Sequence, residues 1–152
     1  MAIDLSPIRA IEFQILRSAF EVLDIENPRR EKDSISFGFH AHDLVLKDDG
    51  SETLQATLDF MMNQDDDTAG YRIDISVRGL FSATYYENGG SRDDFENFMK
   101  VNAFNLLYAF IRSHVQMLSS MSPAMQITLP CLDVASIAKV LATEQDEQEE
   151  MQ

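Results

Sequence analysis

Apolar residues recur at every second position through the first half of the chain, and the period lengthens to that of a helix after residue 90. Residues 53 to 62 carry Leu54, Ala56, Leu58, Phe60 and Met62 on one face. Residues 71 to 86 carry Tyr71, Ile73, Ile75, Val77, Gly79, Phe81, Ala83 and Tyr85 in the same way. Strict alternation predicts antiparallel strands with one buried and one wet face. Residues 35 to 46 begin alike with Ile35, Phe37, Phe39 and Ala41, then change phase to Leu44 and Leu46. Lys47-Asp48-Asp49-Gly50 and Asp65-Asp66-Asp67-Thr68-Ala69-Gly70 read as the turns between these runs.

Residues 11 to 26 fit two patterns. Ile11, Ile15, Leu16, Ala19, Phe20 and Leu23 have helical spacing. Ile11, Phe13 and Ile15, then Leu16, Phe20 and Val22, fit two strand faces with a switch between them, as a bulge would give. The count of matches favours the helix by a small margin. Asn27-Pro28 closes the segment in either case.

The segment from Asp94 to Leu118 is the long helix. Ser91, three residues before Asp94, predicts a capping box. At 1.5 Å per residue the helix would be roughly 37 Å long. Phe95, Phe98, Met99, Asn102, Leu106, Phe110 and Val115 lie along one side, and Val101, Phe104, Tyr108, Ile111 and Leu118 along the other. A helix apolar most of the way round asks for cover on two sides. One sheet supplies one side, so a second copy of the chain is expected on the other, against Phe104, Tyr108, Ile111 and Leu118. Beyond it, residues 125 to 129 read as extended between Pro123 and Pro130. Asp133 then caps a short helix with Val134, Ile137, Ala138 and Leu141 on one face. Strands first and helices last predict an α+β fold: a four-stranded antiparallel sheet, a long helix and a short C-terminal helix.

Composition narrows the function. The chain has 152 residues and a net charge of −14, of which five negative charges fall in the last nine residues. A basic footprint is missing, so neither nucleic acid nor anionic membrane is an expected partner. Asn102, Asn105, Arg112, His114 and Gln116 interrupt the long helix and argue against direct membrane insertion. One cysteine, Cys131, and no apolar leader point to the cytoplasm. The expected organisation is a loose arm over 1–10, one domain over 11–142 and an acidic disordered tail over 143–152.

Motifs for chemistry are few. There is no P-loop and no dinucleotide fingerprint. His40 and His42 would share one strand face but have no third ligand, so no metal and no cofactor are expected. His114 reads as a hydrogen-bonded core or interface group, and Cys131 as a buried inert thiol. No acid–base pair or nucleophile can be placed, so an enzyme is not expected.

Several short motifs occur in a recognisable order. Phe13-Gln14-Ile15 is followed by Arg17, then by Glu26 and Pro28. Gly79-Leu80-Phe81-Ser82 ends the last strand. Asn105-Leu106-Leu107-Tyr108 precedes Phe110 and Arg112, and Gln126-Ile127-Thr128-Leu129-Pro130 precedes the last helix. Together they resemble the SecB family of tetrameric bacterial protein-export chaperones. The chain departs from the family pattern at Arg78, Ala109 and Ser120-Met121-Ser122, as a divergent SecB-like member would.

The resemblance implies a strand for the ambiguous first segment and a dimer of dimers with long helices sandwiched between sheets. It implies an ATP-independent holdase that keeps preproteins unfolded in apolar grooves. Carried over, the groove positions are Phe37, Phe39, Leu132, Ile137 and Leu141. It further implies docking of a SecA-type translocation motor through Glu26 and Asp74. A SecB-like chaperone controlling a toxin–antitoxin pair is the alternative. A small α+β ligand-binding domain or enzyme is a third reading, from a different class.

Overall fold

Residues 9 to 22 form a strand, and the sheet built on it decides where everything else sits. The computed structural model describes residues 7–27, 33–65, 69–86, 90–122, 126–133 and 135–141. Five strands, β1 (Arg9–Val22), β2 (Ile35–Ala41), β3 (Val45–Leu46), β4 (Glu52–Met62) and β5 (Tyr71–Ala83), precede the long helix α1 (Arg92–Ser120). A short helix, α2, covers 135–141. The sheet is antiparallel with the order β1-β5-β4-β2, and β3 pairs with β4 beyond the end of β2. The first six residues of the expected arm, Pro28, Pro123, Met125, Val134 and the acidic tail lie outside the described residues.

The helical count for the first segment is overturned, and the reason is visible in the pairing. β1 runs against β5 with register shifts between Ala10 and Glu12 and between Ile15 and Arg17. Each shift leaves one extra residue, Ile11 and then Leu16. Phe13 and Ile15 therefore face the same side as Gly79 and Val77, and after the second bulge Ser18, Phe20 and Val22 take over that side. A strand whose inward positions change parity twice imitates helical spacing. β1 also starts earlier than the expected boundary, with Arg9 opposite Ser82 and Ile8 already buried.

The phase change near residue 42 divides the expected second strand into β2 and β3. Leu44 is the inward residue between them, whereas Leu46 is exposed. The turn at Lys47–Gly50 closes with the Gly50 amide donating to Lys47 O at 3.0 Å, and Gly50 takes φ of 84°. In β4 and β5 the predicted inward residues form the core: Leu54, Ala56, Leu58, Phe60, Ile75, Val77 and Phe81 are fully buried.

α1 starts at the predicted capping box. Ser91 Oγ accepts from the Asp94 amide at 3.1 Å, and the Ser91 amide donates to Asp94 Oδ2 at 3.2 Å. Three of the four α1 residues expected against a second copy are covered by the chain itself. Phe104, Tyr108 and Ile111 are buried within the single chain, and Leu118 packs partly against the same core. β2 and the segment 126–132 share the cover: Phe37 and Phe39 lie against Phe104, and the segment runs along α1 with Ile127 and Leu129 buried. β1 covers the opposite flank, where the Phe13 ring stacks on Phe110 at 4.9 Å. Asn105, Ala109, Ser113 and Gln116 are exposed on α1, and so is Met117, at 53%.

Candidate functional site

An apolar groove opens between β2 and α2, and its walls are placed by polar contacts behind them. Tyr108 Oη donates to Pro130 O at 2.6 Å, and Arg112 Nε donates to Leu129 O at 3.1 Å. The Ile127 amide donates to Ser119 Oγ at 2.8 Å. Three side chains of α1 thus tie down the extended lead-in to α2, satisfying main-chain groups that would otherwise be unpaired against the core. Burial raises the Tyr108 pKa, which keeps its hydroxyl a donor. Asp133 then starts α2, its carboxylate accepting from the Ser136 amide at 3.2 Å.

Ile137 and Leu141 point from α2 into the core, four residues apart on one face. Val140 stands beside them and is 55% exposed. Across the gap, Phe37 and Phe39 project from β2. The Phe37 ring lies 5.5 Å from Phe60 and 5.8 Å from Phe104, and Phe39 lies 5.4 Å from Phe104. The result is an open cavity of about 160 Å³.

All five groove positions expected from the resemblance line this one cavity. They do so unequally. Phe37 is 38% exposed and offers surface, whereas Ile137 and Leu141 are anchors that hold α2 down. Phe104, expected at an interface between copies, lines the groove floor instead, and Val140 completes the wall. Val140 was legible as the residue three after Ile137, next to its stripe.

Of the two expected docking acids, one lies on the outward face of the sheet and one in a loop. Asp74 faces outward on β5 and accepts from Arg17 Nε at 2.8 Å. The same guanidinium lies 3.9 Å from Asp59, and His40 lies 4.0 Å from Asp59. This sheet face is a balanced ladder of charges rather than an acidic patch. Glu26 is exposed in the loop after β1, where Asp24 Oδ1 accepts from its amide at 3.1 Å.

The remaining candidates are scattered. Among the described residues, no three His, Cys, Asp or Glu side chains are grouped to hold a metal ion. His114 Nε2 lies 2.8 Å from Ser18 Oγ across the β1–α1 contact, and burial lowers its pKa. Cys131 is exposed, not buried as expected. Inward positions alternate through Ile127 and Leu129, but after Pro130 the inward place passes to Leu132, which turns the thiol out. No helix among the described residues is long and apolar enough to cross a membrane.

No protein-family profile and no curated protein matches the sequence. Solved structures do match in shape. One is a SecB-like chaperone of Mycobacterium tuberculosis, in complex with a ChAD peptide from the HigA1 antitoxin. It is 14% identical, with a TM-score of 0.53 over 84% of this chain and 91% of that one. Another is a protein of unknown function from Streptococcus agalactiae, 13% identical, with a TM-score of 0.50 over 81% of this chain and 96% of that one. The fold of this chain is therefore SecB-like.

Proposed function

We propose that the chain is a holdase chaperone that captures unfolded polypeptide in the groove between β2 and α2, without nucleotide and without catalysis. The observation that carries this reading is exposed apolar surface in a concave site: Phe37 and Val140 stand open above a floor of Phe39 and Phe104. Surface of this kind binds the unfolded state of a client in preference to the folded one and opposes aggregation by mass action. A polypeptide occupant is supported by the peptide complex of the Mycobacterium tuberculosis structure, which has the same fold.

Two client routes follow. In the export route, preproteins pass to a SecA-type motor that docks through Glu26 and Asp74. In the other, the chain guards one dedicated client such as an antitoxin. The Arg17–Asp74 contact favours the second route, because a paired carboxylate presents less negative potential to a basic docking partner. In either route we take the working form to be a cytoplasmic homotetramer, a dimer of dimers. Exposed Ile11, Ile15 and Leu16 along the outer strand β1 are the surface that supports a second copy.

The test is dilution of a chemically denatured, aggregation-prone enzyme into nucleotide-free buffer, followed by light scattering. The wild-type chain suppresses scattering at stoichiometric amounts, and Phe37→Ser with Val140→Ser weakens this several-fold. Ile137 and Leu141 are unsuitable for this purpose, because replacing an anchor releases α2 as well. Unchanged scattering with the wild-type protein present would end this reading.

A further inference from the structure

β2 is the last strand of its sheet, and its outer edge is unpaired among the described residues. Which main-chain groups it presents there follows from two hydrogen bonds at its ends. The Asn63 amide donates to Ser34 O, and the His42 amide donates to Gln55 O, both at 2.9 Å. In an antiparallel pair such bonded positions alternate with unbonded ones. Ser34, Ser36, Gly38, His40 and His42 therefore direct their N–H and C=O groups toward β4. Ile35, Phe37, Phe39 and Ala41 direct theirs outward.

The odd-numbered residues are also the ones whose side chains face the groove, as the Phe37 and Phe39 contacts with Phe104 require. A free ladder edge and an apolar cavity thus belong to the same residues. A strand laid along this edge would place the side chains opposite Phe37 and Phe39 on the groove side of the sheet. A dry apolar cavity of about 150 Å³ accepts a benzene ring. The groove, at about 160 Å³, takes one large client side chain at a time.

We propose that the client is captured as an added β-strand. It pairs antiparallel with the outer edge of β2, its alternate side chains face the groove side, and one of leucine or phenylalanine size fills the cavity. This rests on the holdase reading and names how that site selects. Seven residues of β2 span about 24 Å, which sets the length of the captured segment. Its flanks should not be acidic: Asp133 heads α2, and Asp33, held by Asn63 and Tyr71, precedes β2, in a chain of net charge −14. Asp43 after β2, by contrast, shares a pocket with Arg92 and Lys100. Main-chain pairing is indifferent to sequence, so the selection comes from the alternation and from the flanking charge.

The experiment uses the full chain and a dye-labelled nine-residue peptide with leucine at alternate positions and lysine at both ends, read by fluorescence anisotropy. Two further peptides carry N-methyl groups, one on the leucine amides and one on the intervening amides. Methylation of the leucine amides weakens binding tenfold or more, and methylation of the intervening amides changes it less than threefold. Hydrogen exchange slows at the Phe37 and Phe39 amides on binding, while the Gly38 and His40 amides are protected throughout. Equal binding of all three peptides overturns strand addition and leaves capture by side chains alone. An unmodified peptide that fails to bind while aggregation is still suppressed also overturns it. Loss of both peptide binding and suppression removes the holdase reading and this inference together.

Discussion

The Arg92 guanidinium meets both carboxylate oxygens of Glu52, joining the first residue of α1 to the first residue of β4. Glu52 is 5% exposed, while Arg92 sits half in water and lies over the Tyr85 and Phe95 rings. Glu52 holds the Arg92 pKa above its ordinary value through this hydrogen bond. Removing one partner of a buried pair leaves the other charge uncompensated. Arg92→Ala should cost about 2–3 kcal/mol in urea unfolding, discounted from a fully buried pair because water reaches the arginine. Adding Glu52→Gln to that variant should recover part of the loss. A single variant as stable as wild type would show that the pair holds nothing together.

Gly79 leaves room for a ring. A Cβ there would sit 2.6 Å from the Phe81 ring and 3.1 Å from Leu107, and Phe81 is fully buried and cannot swing away. Gly79→Ala should lower stability by about 1–3 kcal/mol, the ordinary cost of overfilling a packed core. Thermal and urea unfolding would measure it. The glycine that marked a family motif is thus required by packing on the inner face of β5.

Burial holds the His114 pKa below its ordinary value of 6.5. The sign follows from proton uptake. Between the two values the unfolded chain binds a proton that the folded chain does not, so stability falls as pH drops. His114's contribution should be whole above its unfolded value and lost progressively as the pH falls toward the folded one. Urea midpoints at successive pH values would show this, and His114→Gln should remove that share of the slope. A parallel slope in the variant would place the titration elsewhere.

Arg17 decides the charge of the outer sheet face. Arg17→Ser releases Asp74 and Asp59 and should strengthen low-salt binding of a SecA-type motor several-fold by calorimetry, provided the motor docks there. Identical binding by both forms would remove Asp74 from the docking surface.

The alternation in residues 53–62 and 71–85 was enough to place β4 and β5, because side chains on a strand have a period of two and both strands sit centrally in the sheet. The capping box likewise needed only Ser91 and Asp94, since the contact spans three residues. The groove was less legible: Phe37, Phe39, Leu132, Ile137 and Leu141 came from motif resemblance, and no periodicity separates a groove wall from a core wall.

What the chain determined by itself was therefore local: strand faces, turns, the helix and its cap, all set by side chains a few residues apart. Tertiary structure decided the rest. Whether residues 9–22 were helix or strand depended on β5 lying alongside, because only a partner strand makes Ile11 and Leu16 bulges. Phe104 and Tyr108 on α1 were expected against a second copy, yet β2 and residues 126–132 of the same chain meet them. A pattern reports that a surface must be covered; which surface covers it is settled by long-range packing, which leaves no period in the sequence.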